Sequence, residues 1–227
     1  MNTFATEKAG IFPKSQKGYE ATKRFLDLAI CLMILPLVLA VMAVILVCTL
    51  LESPGPILFL QERVGRGGRR FHIYKFRTMK HDFREDRSRE FLKAYVKGQI
   101  GGEDSDARPA VYKPNHQAGI TRMGRILRKT SLDELPQIFN VLMGEMSLVG
   151  PRPHIVCEVE EYQDWHRQRL EVLPGITGLA QVNGRSSLPF DRMVYYDLKY
   201  VQERSLKLDL KILWWTFLSV LKTRGAG

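Results

Sequence analysis

The sequence has no cysteine framework of the kind that staples small secreted domains. Its three cysteines are Cys31 and Cys48, which lie within one long apolar run, and Cys157, which stands alone downstream. This usage agrees with a soluble part that stays in a reducing cytoplasm. The apolar run is too long and begins too late for a cleaved signal peptide, and no small-residue cleavage site follows it.

The familiar nucleotide-binding and hydrolytic signatures are missing as well. There is no G-x-x-x-x-G-K-[ST] loop, and the glycines around Arg66 do not form a dinucleotide fingerprint. The five histidines show neither metal-ligand spacing nor a triad with a serine or cysteine. These absences leave charged side chains, rather than a known motif, as the carriers of any chemistry.

What the sequence does contain is an apolar stretch over residues 25–51, of which the 24 residues 28–51 carry no charge. As a helix these would be about 36 Å long, enough to cross a hydrocarbon core of about 30 Å. Basic residues flank the stretch on both sides: Lys14, Lys17, Lys23 and Arg24, then Arg63, Arg66, Arg69 and Arg70. Because such residues mark the cytoplasmic side, both ends are expected on one face of a membrane.

Pro36 lies inside this stretch, where a proline removes a backbone donor and kinks or breaks a helix. With the basic flanks it predicts a re-entrant helix–break–helix over residues 23–52, which enters the bilayer, bends near Pro36 and returns. An ordinary spanning helix with a tolerated proline is the alternative. Residues 1–22 are expected to form a loose basic lead-in.

The remaining residues, 53–227, are expected to form one compact cytosolic domain of the α+β class, mostly helical. A strand is predicted at 71–76, helices at 158–170 and 191–203, and a short extended piece at 180–182. Residues 80–118 are a charged excursion without a pattern. The paired Trp214 and Trp215 with flanking lysines predict an interfacial amphipathic helix at 205–223, for which a core helix is the alternative.

The net charge of +10 indicates a polyanionic partner, either nucleic acid, anionic lipid or a phosphorylated substrate. The membrane segment favours the last two. Residues 120–129 place apolar side chains at helical spacing between arginines, which predicts a cationic amphipathic helix for a membrane surface or a phosphate-bearing ligand. A core-packed helix with a solvated basic face explains the pattern equally well.

Two adjacent carboxylates, Asp133 and Glu134, follow this helix. Ser131 and Glu134 fit a capping box, with Asp133 in the first turn, so helix capping would explain both carboxylates. In the functional alternative they divide the work, because neighbours in a helix point about 100° apart. One carboxylate then attacks or takes a proton, and the other holds a divalent cation beside substrate phosphates. Downstream, a Gly-Pro-Arg-Pro turn fixes the direction of Arg152, whose guanidinium suits phosphate oxygens.

Several long motifs resemble those of the bacterial sugar transferases, the monotopic phosphoglycosyl transferases that act on polyprenol phosphate. They are KFRTM at 75–79, LRKTSLDELPQ at 127–137, NVL at 140–142, MSLVGPRP at 146–153, PGITG at 174–178 and QVNGR at 181–185. They occur in family order between about residues 23 and 224. The chain is similar to the small form, which has the catalytic domain and its membrane helix without an extra spanning bundle.

The resemblance implies transfer of a sugar-1-phosphate from a nucleotide diphosphate sugar, usually UDP-linked, to undecaprenyl phosphate, with release of UMP. In the family this is the first membrane step of a surface glycan and passes through an aspartyl-phosphosugar. By motif, Asp133 would be the nucleophile, Glu134 would hold Mg²⁺, and Arg128 would meet the polyprenol phosphate. The nucleotide-sugar phosphates would be lined by four basic residues: Lys75, Arg77, Arg152 and Arg185. A water-poor site would protect the acyl phosphate from hydrolysis.

The expected setting is the bacterial inner membrane, with the catalytic domain on the cytoplasmic face. The expected partners are a UDP-sugar, undecaprenyl phosphate and the bilayer, without nucleic acid, and exposed interfacial helices would favour a homodimer. Family members usually have serine before the helix-breaking proline, whereas here Leu35 precedes Pro36 and cannot bond a carbonyl freed at the bend. From the residues alone, a membrane-anchored basic adaptor without catalysis is the alternative.

Overall fold

The computed structural model describes residues 17–80, 88–97, 119–184 and 188–221. The longer helices are α1 (Lys17–Glu52), α2 (Ser88–Val96), α3 (Arg122–Thr130), α4 (Gln137–Met143), α8 (Phe190–Glu203) and α9 (Leu206–Leu221). The shorter helices are α5 (Val156–Glu160), α6 (Asp164–Arg167) and α7 (Leu179–Val182), and single 3-10 turns lie at Arg66–Gly68, Leu132–Glu134 and Gln168–Glu171. The strands are β1 (Leu58–Val64), β2 (Arg70–Phe76), β3 (Ser147–Val149) and β4 (Gly175–Thr177).

The described chain is therefore α+β and mostly helical, which confirms the predicted fold class. Most of the lead-in at 1–22, most of the excursion at 80–118 and Arg185 lie outside the described residues. The strand predicted at 71–76 and the helices predicted at 120–129, 191–203 and 205–223 correspond to β2, α3, α8 and α9.

Two small sheets organise the domain. Strands β1 and β2 form an antiparallel hairpin with Leu58 opposite Phe76, and β3 pairs with β4 in parallel. A parallel pair needs a crossover, which α5, α6 and the 3-10 turn before β4 supply. Glycines allow the ends of this second sheet to touch, because a Cβ on Gly175 would lie only 2.0 Å from the backbone nitrogen of Gly150.

Helix α1 lies lengthwise along the domain instead of projecting from it. Its buried positions Cys31, Val38 and Ile45 recur every seven residues and so form one stripe along the helix. The stripe packs first against Phe71, Ile73 and α4, and further along against the end of β2 and α3. The opposite side of α1 is apolar and exposed, through Phe25, Leu32, Met33, Leu37, Val44, Val47 and Leu51 among others.

The helix continues through Pro36, so the predicted division into two helices is not observed. A proline costs one backbone hydrogen bond and a steric clash, which would break an isolated helix. Here Leu35 and Val38 on either side of the proline pack against the domain core and hold the helix together.

The N-terminal end of α1 is bonded to the domain through polar side chains. Tyr19 and Lys23 both donate to the carboxylate of Asp209 in α9, at 2.8 and 3.0 Å. Arg24 donates to the last carbonyls of α4, where a cation also complements the helix dipole. The buried Asp27 accepts a 2.7 Å hydrogen bond from the hydroxyl of Ser147.

The C-terminal end of α1 is bonded to the same domain. The carboxylate of Glu52 accepts hydrogen bonds from the backbone N–H groups of Arg122 and Met123 in the first turn of α3. An anion at this position satisfies free amides and complements the dipole of α3. The two ends of a helix of 36 residues, about 54 Å long, are thus attached to one body.

Two local predictions were wrong. Residues 180–182 belong to helix α7, because the extended segment that pairs with β3 is Gly175–Thr177 and the chain coils immediately after it. The single helix predicted at 158–170 is instead divided among α5, α6 and a 3-10 turn. Gln163 has an extended backbone that separates α5 from α6, and its N–H donates to the ring of His166.

Helix α9 combines features of a core helix and an interfacial helix. Ile212 is fully buried and packs against Val149 and Tyr200, so one face belongs to the core. Another face is exposed and apolar, with Leu210, Trp214, Phe217 and Val220. Both α1 and α9 thus show the solvent an apolar face of the kind that membrane-interface helices carry.

Candidate active site

Three of the predicted site residues meet at one carboxylate oxygen. Lys75 at the end of β2 donates to Oε1 of Glu134 at 2.7 Å. Arg152, in the loop after β3, donates to the same oxygen at 3.4 Å. Lys75 lies on the same face of β2 as the buried Phe71 and Ile73. Its amine therefore points inward, toward the turn that carries Glu134.

The turn that carries the carboxylates begins at Ser131, which ends α3. Ser131 has a left-handed backbone (φ 59°), and its N–H bonds the carbonyl oxygens of Leu127 and Arg128. The capping-box interpretation is therefore wrong, because Ser131 makes no side-chain cap and Glu134 is bonded to Lys75 and Arg152 instead. The serine closes one helix, and the charge-assisted bonds to Glu134 outweigh a neutral cap.

The charges around Glu134 keep it ionised. Burial alone would raise the pKa of this carboxyl, but the adjacent Lys75 and Arg152 outweigh burial and lower the pKa to about 2. Burial in turn lowers the pKa of Lys75, although the charge of Glu134 opposes that shift. Glu134 is thus a fixed anion held between two cations.

Asp133 differs from its neighbour in having no direct partner. It is half-buried, and its carboxylate forms no hydrogen bond or ion pair with the residues that the structure describes. Burial raises its pKa, while the nearby Lys75 acts in the opposite direction and Glu134 reinforces the rise. Asp133 is therefore a carboxylate whose lone pairs are available, close to several cations, as a nucleophile requires.

Arg128 reaches the same region from α3. Helix α3 approaches the chain after β2 so closely that a Cβ on Gly124 would lie 2.1 Å from the carbonyl oxygen of Thr78. One turn later, Nε of Arg128 donates to the hydroxyl of Thr78 at 2.8 Å. The two terminal nitrogens of Arg128 have no hydrogen-bond partner within the described part of the chain, which leaves a guanidinium fork for an anion.

Arg77 is not brought into this cluster. Its buried guanidinium donates to the carbonyl oxygens of Ser53 and Pro54, directly after α1. These hydrogen bonds give Arg77 a structural role, because they fix the segment that links α1 to β1. The remaining predicted phosphate-binding residue, Arg185, lies outside the described residues.

The turn that presents Arg152 is held at four consecutive carbonyl oxygens. Two donors lie at the end of β1 and two at or just before β4: Gly175 N–H to Pro151 (2.9 Å), Arg169 to Arg152 (2.8 Å), Arg63 to Pro153 (3.0 Å) and Val64 N–H to His154 (2.9 Å). Arg169 is itself buried and bonded to Asp197 and Tyr162. Sequence reasoning missed Arg63 and Arg169, since nothing in their local patterns separates them from solvated arginines.

Asn140 is another residue whose role the sequence does not reveal. It is fully buried in α4, accepts from the Tyr74 N–H at 3.1 Å, and donates to the His72 carbonyl at 2.8 Å and to Glu145 at 2.7 Å. One side chain thus ties β2 to α4 directly beside Lys75. It positions the strand that delivers the lysine to Glu134.

We expect Asn140→Leu to lower the free energy of unfolding by about 3 kcal/mol. Leucine has a similar volume but leaves the Tyr74 N–H, the His72 carbonyl and Glu145 without their partner. A fully buried group without its partner costs about 1–3 kcal/mol, and these partly buried groups cost less each. Thermal and urea unfolding in detergent would measure the change. Asn183→Leu is the control, because Asn183 is exposed and bonds a single carbonyl four residues away. Equal losses in the two variants would contradict the role given to Asn140.

Fold and site together define a class of protein. It is a small α+β domain bound lengthwise to a helix that is long and apolar enough to cross a membrane. Its polar centre joins the carboxylate of Glu134 to a lysine and an arginine beside a second carboxylate, Asp133, and this combination suits phosphorylated ligands.

Comparison with known proteins identifies the family. The family model described as "Bacterial sugar transferase" matches residues 18–223. The chain therefore belongs to the bacterial sugar transferase family, which confirms the resemblance seen in its motifs.

Curated relatives show the same affiliation. The chain is 41% identical over 207 residues to "Undecaprenyl-phosphate galactose phosphotransferase" of Salmonella typhimurium, covering 90% of this chain and 41% of the relative. It is 38% identical over 208 residues to "UDP-glucose:undecaprenyl-phosphate glucose-1-phosphate transferase" of Klebsiella pneumoniae, covering 88% and 39%. A relative from Aeromonas hydrophila, "UDP-N-acetylgalactosamine-undecaprenyl-phosphate N-acetylgalactosaminephosphotransferase", is 37% identical over 214 residues, covering 92% and 45%. The chain thus spans about two fifths of the length of the relatives it matches.

Proposed function

We propose that this chain transfers a sugar-1-phosphate from a UDP-sugar to undecaprenyl phosphate and releases UMP, as the first membrane step of a surface glycan. The observation that carries the proposal is the carboxylate of Asp133, which no described residue bonds, beside the fixed Glu134 and its cations. The names of the relatives support the same acceptor and donor class. They name galactose, glucose and N-acetylgalactosamine, so the transferred sugar stays open.

The first half-reaction uses Asp133 as the nucleophile. One carboxylate oxygen attacks the phosphorus that carries the sugar, the bond from that phosphorus to the bridging oxygen breaks, and UMP leaves with that oxygen. The product is an aspartyl-phosphosugar, a mixed anhydride. Lys75 and Arg152 flank the carboxylates and are placed to hold the donor's phosphates while this charge moves.

The second half-reaction regenerates the enzyme. A phosphate oxygen of undecaprenyl phosphate attacks the same phosphorus, and the carboxylate of Asp133 leaves. The guanidinium fork of Arg128, anchored at Thr78 through Nε and without a partner among the described residues at its terminal nitrogens, is placed to bind the acceptor's phosphate. Two displacements at one aspartate let a water-soluble donor and a lipid acceptor use the same site in turn.

The residues present fit a magnesium ion. The described residues contain no group of three or more histidine, cysteine, aspartate or glutamate side chains that could hold a metal by themselves. Mg²⁺, however, is commonly held by one or two carboxylates together with substrate phosphates and water. Among the described residues, Asp133 has no side-chain partner and Glu134 is engaged only at Oε1, by Lys75 and Arg152, so these two carboxylates would hold the ion. When bound, Mg²⁺ would offset the repulsion between carboxylates and phosphates.

The domain would lie on the cytoplasmic face of the bacterial inner membrane. Helix α1 would be re-entrant, bending at Pro36 within one continuous helix and keeping both of its ends on that face. The attachment of Tyr19 and Lys23 at one end, and of Glu52 at the other, to one domain supports this topology. The apolar outer faces of α1 and α9 would then lie in the bilayer, and could also serve a homodimer. A helix that crosses the membrane would have to place its two ends on opposite faces, although both ends are attached to the same domain.

UMP release tests the reaction. Purified protein in detergent should release UMP from at least one member of a UDP-sugar panel, with turnover that requires undecaprenyl phosphate and Mg²⁺. The non-catalytic adaptor would release none from any donor. Absence of UMP with every donor, in protein that unfolds cooperatively, would overturn the proposed function.

Cysteine labelling tests the topology separately. In a variant without the native cysteines, Ala21→Cys and Pro56→Cys would each place one exposed thiol at an end of α1. Both are expected to react with a membrane-impermeant maleimide only after the cytoplasmic side is opened. Labelling of one of them from the periplasm of intact cells would refute the re-entrant arrangement.

The buried Arg169 should influence donor binding through Arg152. Arg169→Lys keeps a charge opposite Asp197 but loses the fork that also bonds Tyr162 and the carbonyl of Arg152. We expect the KM for the UDP-sugar to rise about tenfold with kcat changed less than threefold, because a looser turn weakens ground-state and transition-state binding alike. Arg167→Lys, two residues away and exposed, is the matched control. Unchanged KM values in both variants would contradict the positioning role.

A further inference from the structure

Strand β1 begins with three consecutive apolar residues that are all exposed. Leu58, Phe59 and Leu60 have exposed fractions of 42%, 44% and 54%. Side chains alternate between the two faces of a strand, so a strand with one packed face would cover every second residue. At the start of β1, side chains on both faces are exposed, which indicates a contact surface rather than core.

The register of the hairpin places one of these residues beside the active site. Phe59 pairs directly with Lys75, whereas Leu58 pairs with Phe76 and Leu60 with Tyr74. Directly opposed residues share a sheet face, with Cβ atoms about 4.5–5.5 Å apart. The exposed ring of Phe59 therefore adjoins the lysine whose amine bonds Glu134.

The surroundings of Phe59 indicate a ligand with an apolar chain next to a phosphate. The cations Lys75, Arg128 and Arg152 supply the anion-binding side. The apolar side is supplied by the exposed start of β1, and along the chain the exposed apolar residues of α1 end at Leu51, seven residues before Leu58. A UDP-sugar is polar or hydroxylated along its whole length, whereas a polyprenyl phosphate has a hydrocarbon chain beginning at its phosphate.

We propose that Phe59 binds the isoprene units nearest the phosphate of the lipid acceptor and guides that phosphate toward Asp133. This inference rests on the proposed function and adds an acceptor contact to it. Phe59 acts in the second half-reaction only, because the donor has no apolar chain to place against the ring. Leu60, on the opposite sheet face, does not take part.

The test compares Phe59→Thr with Leu60→Thr, since threonine keeps β propensity while it removes the apolar group. For each variant, UMP released in a single turnover with donor alone measures loading of Asp133, and steady-state assays measure the KM for undecaprenyl phosphate. We expect Phe59→Thr to raise the acceptor KM about tenfold, as loss of one buried apolar contact would. Loading and the donor KM should stay within twofold, and Leu60→Thr should change none of these values.

Each outcome of this test either supports or overturns the role of Phe59. An unchanged acceptor KM in Phe59→Thr overturns the inference, and so does an equal rise of the donor KM, which would indicate contact with the base or sugar. An equal effect of Leu60→Thr would show general membrane contact and also overturn it. Failure of the proposed function would look different, because the wild-type protein itself would release no UMP.

Discussion

Replacing Asp133 with asparagine should abolish sugar-phosphate transfer and leave the fold intact. An amide neither attacks phosphorus at a useful rate nor leaves from it, so we expect kcat to fall by at least about 10⁴-fold. Stability should not fall, because Asp133 forms no hydrogen bond or ion pair with the described residues and burial disfavours its charge. UMP release and thermal unfolding in detergent measure the two effects.

Asp164→Asn is the matched control for this variant. Asp164 is an exposed aspartate in the first turn of α6, and its replacement should leave turnover within about twofold of the wild type. If Asp133→Asn kept more than about one hundredth of wild-type turnover, Asp133 could not be the nucleophile. That result would favour the alternative in which the carboxylates have no catalytic role.

Replacing Lys75 with methionine should damage both activity and stability. We expect turnover to fall about 10²–10³-fold, because a preorganised cation beside the transferred phosphoryl group is removed. The free energy of unfolding at neutral pH should fall by about 2 kcal/mol, since Glu134, whose side chain is only 21% exposed, keeps Arg152 as its remaining partner. Lys75→Arg, which keeps the charge, should retain most of the stability.

The stability loss in Lys75→Met should depend on pH in a defined direction. In the folded wild type the pKa of Glu134 is about 2, below its ordinary value of 4.5, so its ionised form stabilises the fold above about pH 4.5. This contribution is lost as the pH falls from 4.5 toward 2. The difference between Lys75→Met and the wild type should therefore shrink over that window.

An ion pair with a more exposed lysine serves as the control for Lys75→Met. The Lys93 side chain is 42% exposed and lies 3.3 Å from Glu161, which also pairs with Lys97 at 3.2 Å, so Lys93→Met should change stability little at any pH. A pH-independent loss in Lys75→Met, or a loss as large in Lys93→Met, would contradict the role assigned to the Lys75–Glu134 pair.

Parts of this architecture follow from sequence patterns because the physics involved is local. Alternation over residues 71–76 reports a half-buried strand, and apolar spacing with a basic face reports α3. The charged motif residues Lys75, Glu134 and Arg152 could be grouped by the family resemblance. In the structure, Lys75 and Arg152 both donate to the same carboxylate oxygen of Glu134.

Other parts depend on contacts that no local pattern contains. Pro36 signals a helix break, but packing of α1 along its whole length overrides that signal. Ser131 and Glu134 fit a cap, yet a three-residue spacing does not tell whether a serine ends one helix or begins the next. Arg77 and Arg152 both lie in family motifs, and only tertiary contacts turn the first toward backbone carbonyls and the second toward Glu134.

The most direct test of the account is the mass of the Asp133 peptide after the protein meets its donor alone. Wild-type protein incubated with the correct UDP-sugar and Mg²⁺, then quenched in acid and digested, should carry one sugar phosphate on this peptide and release one UMP per active site. Addition of undecaprenyl phosphate before the quench should remove the adduct. UMP formed only when the acceptor is present, with the Asp133 peptide unmodified throughout, would contradict the covalent mechanism.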